Sequence, residues 1–124
     1  MNYYDFVEKS KMQDTRNIFS SCDASFYHVP GQLKLFFLTS NPVDVEVKLE
    51  DYSQIKFYPI SALEKLQDDY DLPANAFCFA TNNSDPIFLK DGKIFTISHD
   101  GGGQYELIAD NFEKYLDLLI SRMV

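Results

Sequence analysis

Apolar and charged residues alternate most clearly at Val45-Glu46-Val47-Lys48-Leu49 and again at Ile55-Lys56-Phe57-Tyr58. A period of two is what a strand with one buried and one wet face requires. The two segments predict an antiparallel pair joined at residues 50–54. Phe77-Cys78-Phe79-Ala80 is almost wholly apolar and predicts a central strand covered on both faces. Residues 86–90 and 93–98 flank Asp91-Gly92, a pair suited to the type I′ turn that matches strand twist, so they predict a hairpin. After the loop Gly101-Gly102-Gly103, residues 104–108 predict a short edge strand.

Helical spacing falls between these segments. Pro30 suits a helix start, because its missing N–H would be unpaired there anyway. Leu33, Phe36 and Phe37 then share one face, and Asn41-Pro42 ends the helix. Ser61 and Glu64 have the S-x-x-E spacing of a capping box, with Leu63 and Leu66 as the buried side. Asp68-Asp69-Tyr70-Asp71 and Pro73 stop that helix. Asp110 and Glu113 form a D-x-x-E variant of the box. Behind it Phe112, Tyr115, Leu116, Leu119, Ile120 and Met123 make one stripe, suited to lie on a sheet. Residues 3–20 predict one or two short helices, with Tyr4, Val7 and Lys11 on one spacing and Asp14 capping a turn that carries Ile18 and Phe19. The whole predicts an α+β single domain over residues 1–124: a mostly antiparallel sheet of about five to six strands with helices packed on one face, and an N-terminal helical segment in residues 1–28.

Length and composition fit that picture. A chain of 124 residues buries about two thirds of its unfolded surface, so no metal or disulfide staple is needed. Its 11 Phe and 8 Tyr, with no Trp, point to a core of phenylalanine rings. The net charge of −8 is uneven: residues 61–124 hold eleven of the 19 carboxylates but five of the 11 basic side chains. Such a surface repels nucleic acid and attracts a basic partner, or serves solubility alone. Cys22 and Cys78 form no CxxC, and Cys78 between two phenylalanines reads as a small buried hydrophobe. No segment has the pattern of a signal peptide or the roughly 20 apolar residues of a membrane span, which predicts a cytoplasmic chain that neither enters nor anchors in a membrane.

Chemistry-bearing constellations are weak. His28 and His99 lack further ligands at workable spacing, so no metal site is expected. Ser98-His99-Asp100 holds the residue types of a catalytic triad, but contiguous residues cannot form its linear hydrogen-bond chain. A thiolate pair of Cys22 or Cys78 with His99 needs the fold to bring them together. The three glycines lack the Lys-Ser/Thr that follows a phosphate loop. No catalytic residue and no cofactor is therefore expected. Acidic residues cluster in two places: Asp44, Glu46, Glu50 and Asp51 around the first hairpin, and Asp68, Asp69 and Asp71 at the second helix's end. Neither has EF-hand spacing. Tyr52 and Tyr70 lie beside them, and tyrosine is enriched at interfaces. These nine residues read either as a solvated acidic face or as the surface where a protein partner docks.

The order of elements resembles the SUKH superfamily of bacterial immunity proteins and fungal regulators of cell-wall assembly. Five segments carry the likeness over residues 29–123. Val29-Pro30 through Phe37-Leu38 to Asn41 is similar to the family's Pro-initiated helix. Phe57-Tyr58-Pro59-Ile60-Ser61-Ala62-Leu63 is similar to its strand-to-helix step. Residues 77–80 with Asp85-Pro86-Ile87-Phe88-Leu89 match its apolar and Asp-Pro strands. Residues 93–99 end near a His, and Ile108-Ala109-Asp110-Asn111-Phe112 leads into a Leu-rich helix. Two features depart from the pattern: Pro42 stands where Gly is usual, and the N-terminal segment lacks a Trp-containing helix. The resemblance implies a non-enzymatic binding domain, an immunity protein that neutralises a basic toxin such as a nuclease. A regulatory or scaffolding module with a non-toxin partner is the alternative, and a small Cys/His hydrolase the third reading.

Overall fold

The computed structural model describes residues 3–23, 27–98 and 103–124. Helix α1 (Tyr3–Gln13) leads to strand β1 (Ile18–Ser20), and α2 (Gly31–Ser40) to β2 (Asn41–Lys48) and β3 (Gln54–Phe57). A 3-10 turn (Ile60–Ala62) continues into α3 (Leu63–Asp68). Strands β4 (Phe77–Asn82), β5 (Asp85–Lys90), β6 (Lys93–Ile97) and β7 (Tyr105–Ala109) follow, and α4 (Phe112–Arg122) closes the chain. The seven strands form one sheet in sequence order, antiparallel at every step. This confirms the α+β class and adds a strand to the expected count.

The added strand is β1, where a second helical turn was expected to carry Ile18 and Phe19. Asp14 does not cap a helix there. It accepts hydrogen bonds from the Arg16 backbone N–H (2.9 Å) and guanidinium (2.8 Å) in a tight turn. The Asn17 amide then grips β2, donating to the Glu46 carbonyl (3.1 Å) and accepting from the Glu46 N–H (2.9 Å). Three residues are too few to display a strand period. Sequence spacing also misplaced the face of α1. Tyr4 is 73% exposed while Phe6 is fully buried, so the inward row is Tyr3, Phe6 and Ser10, not Tyr4, Val7 and Lys11.

Register fixes which side chains meet the helices. Val45 opposes Phe57, Val47 opposes Ile55, Phe57 opposes Ala80, and Ala80 opposes Ile87. A bulge between Cys78 and Ala80 lets Phe79 turn to this side as well. Helices α1, α2 and α4 roof it with rings. Phe6 lies 5.1 Å from Phe57, Phe36 lies 5.2 Å from Phe112, and Phe79 lies 5.2 Å from Phe112 and 5.9 Å from Tyr115. Edge-to-face contacts dominate, as the ring quadrupole prefers.

The other face carries Lys56, Thr81 and Pro86 in register. Helix α3 packs against β4, and the chain after it reaches the β4–β5 turn. Tyr58 Oη shares a hydrogen bond with Thr81 Oγ1 (3.2 Å), and Tyr70 Oη donates to the Ser84 carbonyl (2.7 Å). Gln67 clamps β4, donating to the Cys78 carbonyl (2.7 Å) and accepting from its N–H (2.6 Å).

Local signals held in part. Asp91 (φ 52°) and Gly92 (φ 79°) are both left-handed, as a type I′ hairpin demands. The two capping boxes are corrected. Ser61 sits inside the 3-10 turn and makes no cap, because Pro59 starts that turn and Ala62 N–H bonds its carbonyl (2.9 Å). At α4 the cap is Asn111, whose extended backbone (φ −163°) aims Oδ1 at the Lys114 N–H (2.8 Å). Asp110 pairs with the Lys114 ammonium at 3.7 Å instead.

Candidate protein-docking surface

Antiparallel succession places the β2–β3 and β4–β5 turns side by side. Asn83 N–H donates to the Gln54 carbonyl (3.1 Å), and Gln54 N–H donates to Asn83 Oδ1 (3.0 Å). In the first turn Glu50 and Asp51 meet Arg122 at the end of α4, at 3.7 and 2.7 Å. Ser53, through its hydroxyl and its N–H (3.0 Å), and Arg122 after it hold the Asp51 carboxyl below the usual carboxylate range. Tyr52 sits at the tip, 92% exposed, on a left-handed backbone (φ 68°). A bulky residue there is strained by roughly 1 kcal/mol or more. In the second turn Asn83 and Ser84 are left-handed too, and Ser84 receives the Tyr70 hydroxyl. Burial raises the Tyr70 pKa, and the charges of Asp69 and Asp85 add to it.

The fold thus puts Glu50, Asp51 and Tyr52 in the turn beside the one that Tyr70 reaches through Ser84, with Asp71 lining the same groove as Tyr70, while Asp69 pairs with Lys65 on α3 at 3.4 Å. The other three expected residues lie elsewhere. Asp44 and Glu46 project from the outward face of β2, among Arg16, Lys48 and Lys56, with Glu46 opposite Lys56. Asp68 points to a different cleft, with Glu64.

An apolar half-face adjoins the acidic end, and sequence reasoning missed it. Phe95 opposes Leu107 and Ile97 opposes Tyr105, on the face away from α4. Tyr105 and Leu107 are 45% and 49% exposed. Phe88 stacks on Phe95 at 5.9 Å, and Tyr105 meets Phe95 edge-on at 5.3 Å. A groove of about 500 Å³, lined by Tyr70, Asp71, Pro86 and Ile97 among others, joins this patch to the turns. Alternation at Tyr105 and Leu107 was visible in sequence, but not which face α4 leaves open. Exposed aromatic and apolar groups beside a charged rim are features of protein interfaces.

The chemical constellations gain little. Burial pushes the Cys78 thiol up to about 12, and it donates to the Ala80 carbonyl (3.3 Å). Cys22 is raised by burial and then by Asp23, and it donates to the Phe37 carbonyl (3.0 Å). Both thiols are therefore poor nucleophiles at neutral pH. Among the described residues no three His, Cys, Asp or Glu side chains converge as a metal group. No helix there is long and apolar enough to cross a membrane. His99, Asp100, Gly101 and Gly102 lie outside the described residues, and with them the triad-like run and most of the glycine loop.

No curated protein and no solved structure matches the chain. A family profile does, over residues 26–118, from the segment before α2 into α4. It spans well over half of the chain and covers the roof helix α2, strands β2 to β7 and most of α4. The chain belongs to the SMI1/KNR4 family (SUKH-1).

Proposed function

We propose that this chain is a non-enzymatic, cytoplasmic immunity protein that binds and neutralises a basic toxin domain through the acidic turn end and the apolar half-face beside it. Family membership supports an immunity-like or regulatory module. The observation that carries the immunity reading is the adjacency of the turn holding Glu50, Asp51 and Tyr52 to the turn that Tyr70 reaches, with Asp71 in the same groove as Tyr70. Four carboxylates (Glu50, Asp51, Asp69 and Asp71) against Arg122 and Lys65 leave a net negative charge there, which speeds encounter with a basic partner. Tyrosine and the Tyr105–Leu107 patch supply the desolvated contacts that hold it.

Tyr52→Gly tests this cleanly. Glycine suits φ 68°, so the turn should be as stable as before or more so, by about 0.5–1 kcal/mol. Affinity for the toxin encoded beside this chain's gene should fall at least tenfold, and protection on co-expression should fall with it. Unchanged affinity in Tyr52→Gly and in Leu107→Asp would remove the surface from consideration. Capture of a housekeeping protein, with no toxin encoded nearby, would favour the regulatory module.

A further inference from the structure

A second concavity lies beside the start of β4, between residues 27–29 and α3, with a volume of about 430 Å³. Its floor is apolar, from Val29, Leu63 and Phe77. One wall carries Glu64 and Asp68, four residues apart and therefore on the same side of α3. Tyr27, His28 and Ile60 also line it. Gln67 also borders it, but its amide is spent on the Leu63 and Cys78 carbonyls and the Cys78 N–H.

Glu64 and Asp68 make no ion pair among the described residues, whereas the neighbouring Lys65 pairs with Asp69 at 3.4 Å. Glu64 is also spared a capping role, since α3 has no side-chain cap. Two uncompensated carboxylates above an apolar floor, in a chain of net charge −8, exclude an anion. Both carboxylates are exposed, and a cation gains their attraction where an uncharged ligand does not. The fitting occupant has an aliphatic stem and a cationic, planar head.

We propose that this cleft receives an arginine side chain of the partner protein. The stem covers Val29, Leu63 and Phe77. The guanidinium fork reaches Glu64 and Asp68, and the Tyr27 ring offers it a face. Lysine fits less well, because its compact ammonium cannot fork between two carboxylates. The proposal rests on the protein-binding reading and adds a second anchor to it, specific for one side chain.

The test uses the full chain and N-acetyl-arginine methylamide, with N-acetyl-lysine methylamide for comparison, followed by amide chemical shifts. The arginine compound should move residues 27–29 and 60–68 and bind more tightly than the lysine compound. Glu64→Gln combined with Asp68→Asn should weaken it at least tenfold. Both positions are exposed, so the fold should survive, and an unchanged amide spectrum elsewhere checks this. Shifts confined to other segments, or indifference to the double substitution, would overturn the proposal. Toxin capture that is equal for the wild type and the double variant would also overturn it, while leaving the binding reading intact. Seating of the arginine compound with no toxin captured would uphold the cleft and count against the immunity reading alone.

Discussion

Phe36 is the hub of the roof, and truncating it tests the account of the core. Its ring is fully buried and meets Tyr3 at 5.4 Å, Phe37 at 5.3 Å and Phe112 at 5.2 Å, all edge-on. Phe57 and Phe6 lie further out at 6.0 and 6.3 Å. Phe36→Ala removes the ring from three helices and the sheet at once, so the cavity cannot collapse easily. A cost of about 3–5 kcal/mol is expected, a large part of the roughly 5–15 kcal/mol that holds a domain folded. Phe36→Leu keeps most of the volume but loses three edge-on pairs at about 0.5–1.5 kcal/mol each, so about 1.5–4.5 kcal/mol is expected. Urea unfolding followed by circular dichroism reads both. With a slope of about 2 kcal/mol per molar, the midpoint should fall by about 2 M for alanine and about 1–2 M for leucine. Leu38→Ala, on the exposed side of the same helix at 42% exposure, should change stability by less than about 1 kcal/mol. An alanine variant within about 1 kcal/mol of wild type would refute the hub. A leucine variant equal to wild type would show that the edge-on ring contacts contribute nothing.

Three further outcomes are expected. The lowered Asp51 carboxyl stabilises the fold above the unfolded value near 3.9, and that stabilisation is lost as pH falls through the lower folded value. The urea midpoints of wild type and Asp51→Asn should therefore differ at pH 7 and draw together as pH falls below about 4; a gap unchanged by acidification would contradict the assignment. Gln67→Ala strands the Cys78 N–H and carbonyl, costing about 2–4 kcal/mol, which thermal unfolding should show as a clear loss, with Gln67→Glu falling between it and wild type. Cys78, raised to about 12 and fully buried, should resist iodoacetamide at pH 8 in native buffer and react only in unfolding urea, as peptide masses would show.

Local chemistry explains what could be read early. The Asp91-Gly92 hairpin, the β2–β3 pair and the α4 stripe each depend on contacts within a few residues, so period and turn chemistry announce them. The same reasoning failed where two donors compete for one role. Asp110 and Asn111 are adjacent candidate caps, and only the backbone entering α4 decides that Asn111 points at Lys114. Ser61 has cap spacing, yet Pro59 commits the chain to a 3-10 turn first. At β1 the deciding partner is Glu46, far along the chain and invisible to any local window.

The sequence by itself determined the class of fold, the phenylalanine core and the acidic character, because hydrophobic period, ring content and charge count belong to the chain before it folds. Tertiary structure alone decided where those charges meet. A meander brings alternate turns to one end, so the turn that carries Tyr52 adjoins, through Gln54 and Asn83, the turn that the Tyr70 hydroxyl reaches at Ser84. It also decided that α4 covers one side of β6 and β7 and leaves Tyr105 and Leu107 bare. A strand's alternation says that two faces differ, while only packing says which of them water reaches.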